Sequence, residues 1–495
     1  MRNKYTWLFL IVALAAFMRL YNLSTTPPGL YPDEAMNGNN AVEAMETGDY
    51  KVFYPENNGR EGLFINIQAV FLKYLPHTPE TLRLPSAIFG ILTIFGLYLL
   101  AKEIFAERKR HEKEIIALLS SFFLAVSFWH INFSRIGFRA IMAPFFAVFA
   151  VYFFLKAMNI PENSRKEKTK IYSYAIIGGI FFGLGFYSYI AYRVLPFLFL
   201  LFILFFYKER KFWKITLTFI VATAIAAAPL GLYFSHNPAD FLGRTSQISI
   251  FNSPTPIHNL AVNTVKTLGM FNFQGDGNFR HNFAGEAELY WPVGILFIIG
   301  VLLLLGWLAK GIKKGVMNKD NFPVAAIFGW MILAMLPVIV SDEGLPHALR
   351  AILMVPPVFI LAGLGGEYVF RKFKEHSRTF RRFSFVFALV FLILLSANVY
   401  EKYFISWADN INVQGAFAAD DVEMGNVINT LPKESPKYIL VESGGVLVNG
   451  IPMPAQTVMF MTDTYTSEKQ KEKNVFYFTP EDKISIPDSA YFFKI

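Results

Sequence analysis

Long apolar blocks recur along this chain at a length that a bilayer requires and a soluble core does not. A helix needs about twenty mostly apolar residues to cross roughly 30 Å of hydrocarbon. Blocks of this kind lie near Tyr5–Tyr21, Leu84–Ile104, Ile115–Phe133, Ala140–Ala157, Ile171–Ile190, Val194–Tyr207, Ile215–Phe234, Trp291–Ala309, Phe322–Val340, Ala351–Phe370 and Phe383–Ile405. The sixth is short and borrows from its flanks. The pattern predicts a polytopic α-helical membrane protein with about eleven transmembrane helices. Composition agrees, with 54% hydrophobic residues and 53 Phe among 495 positions. The opening Met1-Arg-Asn-Lys has the charge of a signal peptide. The apolar run that follows to Leu20 is longer than the usual h-region of about 7–15 residues, which favours an uncleaved first span.

Charge then orients the spans. Every second connection is basic: Arg108-Lys109-Arg110, Arg165-Lys166-Glu167-Lys168, Lys208-Glu209-Arg210-Lys211, Lys313-Lys314, and Arg371-Lys372 with Arg381-Arg382. The alternate connections are not, and the first, Asn22 to Glu80, is acidic. With Arg2 and Lys4 this places the N terminus in the cytoplasm, and an odd number of spans then puts the C-terminal tail outside. The net charge of +9 resides in these short loops, because the tail after Ile405 is acidic. Basic residues spread over short loops do not form a groove for nucleic acid. The chain has no cysteine, which excludes disulfides, thiolate metal sites and a Cys nucleophile.

Three outside segments are too long to be turns. Within the membrane domain, residues 1–405, these are the loops 22–83 and 235–290. The third is the tail, 406–495. The first loop carries a Pro-Pro-Gly turn, a helix from Glu34 to Thr47, and an amphipathic stretch Leu63–Leu75 that suits a helix lying in the interface. In the tail, Met424, Val427, Ile428 and Leu431 follow helical spacing, while Lys437–Val441 and Asn474–Phe478 read as strands. A small extracytoplasmic α/β domain is expected there. Gly179 and Gly183 form a GxxxG that serves close helix packing.

Charged residues gather in the outside connections. Tyr31-Pro-Asp-Glu34 and Asn58-Gly-Arg-Glu61 flank the first loop. The bland readings are an N-cap for Asp33 and a solvated charge for Glu61. Ser134-Arg-Ile-Gly-Phe-Arg139 places Arg135 and Arg139 outside, against the positive-inside bias, where they either snorkel or bind a phosphate bidentately. Arg19 is close enough to the outer end of its span to snorkel. Tyr187, Tyr189, Tyr192 and Arg193 line another outside turn, either as an interfacial belt or as a substrate surface. Gly275 to Asn282 brings Asp276, Arg280 and His281, and Ser341 to Arg350 brings His347 and Arg350. Such a set suits transfer of a sugar from a lipid-linked phosphate. The phosphate is already a good leaving group, so one carboxylate suffices to deprotonate the acceptor, while arginines or a metal ion stabilise the departing charge.

The segments YPDEAMNGNNA, NNGREGLFINIQAVFLK, SFWHINFSRIGFRAIMAP, GLGFYSYIAYRVLPF, GDGNFRHNF and PHALRAILMVPP resemble the GT-C superfamily of polyprenyl-phosphate-sugar-dependent glycosyltransferases. The branch is the family 39-like one, related to protein O-mannosyltransferases and the lipid A aminoarabinose transferase. The resemblance spans the membrane part and stops before the tail. It implies a GT-C fold and an inverting transfer on the non-cytoplasmic face of the cell membrane. It also implies Asp33 as base, Glu34 completing the acidic pair and Glu61 as a second acid. Arg135, Arg139, His347 and Arg350 become candidates for the donor phosphate, and Arg60, Tyr187, Tyr189, Arg193, Asp276, Arg280 and His281 for substrate contacts. Metal use varies within the superfamily, so a divalent metal is compatible but not indicated, and the resemblance implies no other cofactor. Where better-known members carry Pro-Pro, this chain has Asn58-Gly-Arg-Glu-Gly-Leu63, so the acceptor (protein, lipid or surface polysaccharide) does not transfer. The competing readings are a polytopic transporter or lipid flippase, which would place charge near mid-membrane, and a non-catalytic scaffold.

Overall fold

Each apolar block expected to span forms helix in the computed structural model, which describes residues 4–247, 249–312, 318–376 and 378–495. The basic pair Lys313-Lys314 lies outside them, as do the side chains of Arg381 and Arg382. The helices formed by these blocks are α1 (Lys4–Leu20), then, beyond α2 (Pro32–Thr47) and α3 (Leu63–Tyr74), α4 (Pro79–Ile104), α5 (Arg110–Ala125) with α6 (Phe128–Phe133), α7 (Met142–Asn159), α8 (Arg165–Gly185), α9 (Pro196–Phe206) and α10 (Arg210–His236). After α11 (Pro238–Gln247) and α12 (Pro256–Gly269) come α13 (Trp291–Ile312), α14 (Phe322–Ile339), α15 (Val355–His376) and α16 (Arg378–Glu401). Among the described residues, seven are both long and apolar enough to cross a membrane: α4, α7, α10, α13, α14, α15 and α16. The chain is therefore a polytopic helical membrane protein. The third block breaks into two helices because Ser127 starts a new one, its hydroxyl accepting the His130 N–H at 3.3 Å.

Helix α15 is central, buried at every position from Val355 to Glu367. Helices α10 and α16 instead turn Leu217, Ile225, Leu232, Phe387, Ile393 and Leu394 outward, as lipid-facing helices do. Helices α8 and α10 meet at the GxxxG. A Cβ on Gly179 would lie 2.3 Å from the Phe219 carbonyl oxygen, and one on Gly183 would lie 2.6 Å from that of Thr223, so only glycine allows this approach. Arg19 does not snorkel. It is fully buried, donating to the carbonyls of Ala125 at 2.8 Å and Leu124 at 3.2 Å and lying 2.9 Å from His130 Nδ1, and so ties α1 to the break between α5 and α6.

Connections that alternate along the chain gather at opposite ends. At one end Lys156 pairs with Glu103 at 2.7 Å, Lys211 donates to the Met158 carbonyl at 2.7 Å, and Arg108 stacks over Trp307. At the other end the first loop folds into α2, a hairpin of β1 (Phe53–Tyr54) and β2 (Arg60–Glu61), and α3. Asn57, Asn58 and Gly59 take positive φ to close that hairpin.

The tail lies against this loop. It contains α17 (Ile411–Ala416), α18 (Ala419–Thr430), β3 (Lys437–Leu440), a hairpin of β4 (Leu447–Val448) and β5 (Ile451–Pro452), α19 (Gln456–Thr462), α20 (Ser467–Lys473), β6 (Val475–Phe478) and β7 (Tyr491–Lys494). Strands β6, β3 and β7 form a parallel sheet in that order. Helix α19 packs on α2: Phe460 shares a core with Leu30, Ala35, Ala41, Ile65 and Leu82, Thr457 donates to the Leu30 carbonyl at 2.8 Å, and Asn39 donates to Gln456 Oε1 at 2.9 Å. Gly29 allows the close approach. Its φ is +69°, and a Cβ there would lie 2.4 Å from the Phe417 carbonyl oxygen.

Candidate active site

Asp33 and Glu34 are neighbours in sequence with opposite environments. The N-cap of α2 is Tyr31, in extended backbone, and Pro32 opens the helix, so Asp33 falls in the first turn and caps nothing. A carboxylate is favoured there by the helix dipole. Its side chain accepts a hydrogen bond from Asn57 Nδ2 and lines a cavity of about 530 Å³. Glu34 points the other way and is fully buried. Its Oε2 accepts from Arg83 Nε at 3.1 Å and from the Gly137 N–H at 2.7 Å, and its Oε1 accepts from Arg83 Nη2 at 3.3 Å. Arg83 completes its contacts on the Pro27 and Gly29 carbonyls at 2.8 and 2.7 Å. Glu34 thus ties α2 to α4 and to the 134–139 turn, and does not reach the cavity.

Four guanidinium groups line the cavity: Arg60, Arg139, Arg280 and Arg350. Arg139 is held from behind by Glu61, Nε to Oε2 at 2.8 Å, and Arg193 approaches the other Glu61 oxygen at 4.0 Å. Arg60 donates to Asn37 Oδ1 at 2.8 Å and Asn40 Oδ1 at 2.6 Å. Burial lowers the Arg60 pKa to about 10, with the Arg139 charge acting in the same direction and Glu56 opposing it. Arg350 pairs with Glu343 at 2.8 Å. Arg280 lies over the Tyr31 ring at 3.9 Å. Burial pushes the Tyr31 hydroxyl up to about 12, the Asp33 charge adding to this and Arg280 working against it.

A second cluster joins the loops 235–290 and 341–350. Asp276 Oδ2 lies 2.9 Å from His281 Nδ1 and 3.8 Å from His347 Nδ1, and accepts the Ala348 N–H at 2.8 Å. Burial raises the Asp276 carboxyl, but the hydrogen bond and charge of His281, with His347 and Ala348, bring it below its ordinary value. Burial takes the His347 imidazole well below its ordinary value, and His281 and Arg350 push the same way. Behind them Glu288, fully buried, is raised well above the usual range by burial, while its Oε1 accepts the Asp276 N–H at 3.0 Å.

Of the residues singled out from the sequence, the cavity wall brings together Asp33, Arg60, Arg139, Tyr189, Arg280, His281, His347 and Arg350. The others lie behind it. Glu34 and Glu61 are committed to arginines, as just described. Arg135 is fully buried, donating to the carbonyls of Thr26 at 2.7 Å and Met18 at 3.2 Å and stacking on Phe404, so it holds the start of the first loop and cannot meet a phosphate in the cavity. Tyr187 inserts its hydroxyl into α10 at the break made by Pro229, donating to the Ala226 carbonyl at 3.1 Å and accepting the Leu230 N–H at 3.1 Å. Arg193 stacks over Phe241 at 4.2 Å, and Asp276 stands behind its two histidines. Asn37, Asn57, Asn278 and Glu343 also line the cavity and were missed. Asn37 was readable, since it follows Asp33 by four residues and shares its helix face.

The dolichyl-phosphate-mannose-protein mannosyltransferase family model matches residues 64–233, about a third of the chain. No curated protein matches the sequence. Among solved structures, the Archaeoglobus fulgidus oligosaccharyltransferase superposes with a TM-score of 0.55 at 15% identity, covering 93% of this chain and 63% of that one. ArnT from Cupriavidus metallidurans superposes at 0.54 and 14% identity, covering 95% of this chain and 90% of its own. The chain thus spans less than two thirds of the archaeal enzyme. The shared architecture defines the class: a membrane protein of GT-C fold. Together with the family match, it bears out the resemblance to GT-C glycosyltransferases related to O-mannosyltransferases and ArnT.

Proposed function

We propose that this protein is an inverting membrane glycosyltransferase that moves a sugar from a polyprenyl-phosphate donor to an acceptor on the non-cytoplasmic face, with Asp33 as base. The carrying observation is the cavity itself, where the Asp33 carboxylate faces the same space as Arg60, Arg139, Arg280 and Arg350. In this reading the acceptor binds against Asp33, which removes its proton as the acceptor atom attacks the anomeric carbon. The bond from that carbon to the phosphate oxygen breaks, and its electron pair leaves with the polyprenyl phosphate. One displacement inverts the anomeric centre. The guanidiniums, fixed before the reaction by Glu61, Glu343, Asn37 and Asn40, stabilise the charge as it develops.

The similar structures support the donor class: ArnT was solved bound to undecaprenyl phosphate, and the archaeal enzyme with a dolichol-phosphate. The reading includes eleven crossings, counting α1, the α5–α6 pair, α8 and α9. It places the N terminus in the cytoplasm and residues 406–495 outside, as a domain that completes the first loop. The grouping of the alternate connections at opposite ends supports this arrangement.

Asp33→Asn tests the proposal. Isolated membranes carrying it should lose transfer from a radiolabelled polyprenyl-phosphate sugar by about 10²–10⁴-fold, the usual worth of a positioned base, at unchanged protein level. Full activity removes Asp33 as base. Movement of the donor across proteoliposomes with no covalent product would favour a flippase instead.

A further inference from the structure

The geometry points to a divalent transition-metal site built by Asp276, His281 and His347, clamping two outer loops beside the cavity. Three ligand atoms from these side chains lie within 4.8 Å of one another. A tetrahedral ion with bonds of roughly 2.0–2.2 Å holds its ligands about 3.3 Å apart. The separations from Asp276 Oδ2 to the two Nδ1 atoms, 2.9 and 3.8 Å, straddle that spacing.

A hydrogen-bonded cluster without an ion leaves a fault. Asp276 Oδ2 is taken by His281 and by the Ala348 N–H, and His347 Nδ1 remains buried without a hydrogen-bond partner. An ion among the three atoms supplies that partner. The carboxylate is pre-oriented for it by two backbone donors, Asn278 N–H to Oδ1 and Ala348 N–H to Oδ2, both at 2.8 Å, as outer partners commonly fix a metal ligand. The nearby cations do not oppose an ion strongly. Arg280 lies over the Tyr31 ring, and Arg350 is paired with Glu343.

Two imidazoles and one carboxylate select first-row transition ions over magnesium or calcium, which prefer all-oxygen sets. Three protein ligands leave a coordination position open, and His281 and His347 both face the cavity, so an exchangeable water or anionic oxygen would take it. The ion would fasten the 275–288 segment to the 341–350 turn and thereby seat Arg280 and Arg350. None of this depends on the transferase reading.

Zinc and cobalt are the probes. Full-length protein in detergent, stripped with chelator and equilibrated with Zn²⁺, should retain about one ion per chain by elemental mass spectrometry. The Co²⁺ form should show the strong visible bands of a four-coordinate ion. His347→Ala and Asp276→Asn should each weaken zinc binding by at least about tenfold, as loss of even an outer-shell partner commonly does. If His347→Ala fails to fold, His347→Gln and the cobalt spectrum of the unsubstituted protein decide the matter. Zinc below a tenth of an ion per chain, a cobalt spectrum of the hydrated ion, or unchanged affinity in the folded variants would overturn the site.

Discussion

Glu34→Gln should destabilise the protein, whereas the adjacent Asp33→Asn should only silence it. Glu34 and Arg83 are both fully buried, and the carboxylate accepts three hydrogen bonds, two from the guanidinium and one from the Gly137 N–H. A glutamine keeps one acceptor and turns a donor toward groups that themselves donate. Arg83 retains the Pro27 and Gly29 carbonyls, but its charge loses its only ion-pair partner among the described residues. Removing one partner of a buried pair costs on the order of 3–5 kcal/mol, chiefly because the survivor is left charged in low dielectric. The loss falls on the joint between α2, α4 and the 134–139 turn. Thermal inactivation in detergent is the suitable assay, since unfolding of a membrane protein is governed by rate. Glu34→Gln should shorten the half-life at a fixed temperature by at least tenfold, and Glu34→Gln with Arg83→Met should recover part of the loss. Asp33→Asn should leave the half-life within about twofold, because it alters only the contacts to Asn57 and the Tyr31 hydroxyl at a cavity wall and leaves an amide oxygen to accept them. An unchanged half-life for Glu34→Gln, or a loss for Asp33→Asn of equal size, would refute the division of roles.

Arg139→Ala should weaken donor affinity and lower transfer by about 10²–10³-fold, the usual worth of a preorganised charge stabiliser; unchanged donor affinity would count against a phosphate contact. Tyr187→Phe should cost about 1 kcal/mol of stability, the net worth of one hydrogen bond, and leave the KM for donor unaltered, whereas a raised KM would return Tyr187 to the substrate site. Phe460→Ala should cost about 3–5 kcal/mol, as deletion of a fully buried aromatic ring does, and impair transfer because α19 supports the helix that carries Asp33. Asp421 is held up to about 6 by burial and by the Asp420 charge. An acid whose folded pKa is raised destabilises the fold above that value and relieves the penalty as pH falls toward its unfolded value. Asp421→Asn should therefore stabilise the protein at pH 7.5 and have little effect at pH 4, and equal effects at both would refute the assignment.

The helices were legible because a bilayer leaves few alternatives to long apolar runs, and the basic loops sorted the connections into two ends without any contact information. Residue roles were less legible, for a physical reason. An arginine in an outside turn reads the same whether its guanidinium meets carbonyls, as Arg135 does, or lines a cavity, as Arg139 does. Which occurs depends on where the first loop returns after β2, and that is set by contacts as distant in sequence as Glu61 with Arg139 and Glu34 with Gly137. Arg19 shows the same difficulty. Its position near the end of α1 suggested snorkelling, but α5 ends beside it with the Leu124 and Ala125 carbonyls free to accept. The tail's support of α2 was invisible too, since nothing in the spacing of Thr457 or Phe460 names Leu30 as a partner.

These placements explain why one acid in this site is suited to proton transfer. Two carboxylates line the cavity, Asp33 and Glu343, and others, Glu34 and Glu61 among them, lie behind its wall. Glu34 is bound to Arg83, Glu61 stands between Arg139 and Arg193, and Glu343 pairs with Arg350. Each of these three spends its charge in fixing a guanidinium, which then cannot turn aside when negative charge develops before it. Asp33 is instead held by the Asn57 amide, the Tyr31 hydroxyl and a helix terminus. A base must keep a lone pair directed at its substrate, and a carboxylate committed to an arginine has given that up. The same division accounts for the sequence order. Because α2 begins at Pro32, residues 33 and 34 are separated by about 100° around the helix axis, so one faces the cavity while the other faces α4. Advancing the helix register by one residue would turn Glu34 to the cavity and leave Ala35 facing Arg83, so Pro32 and the extended backbone at Tyr31 set which acid the cavity receives.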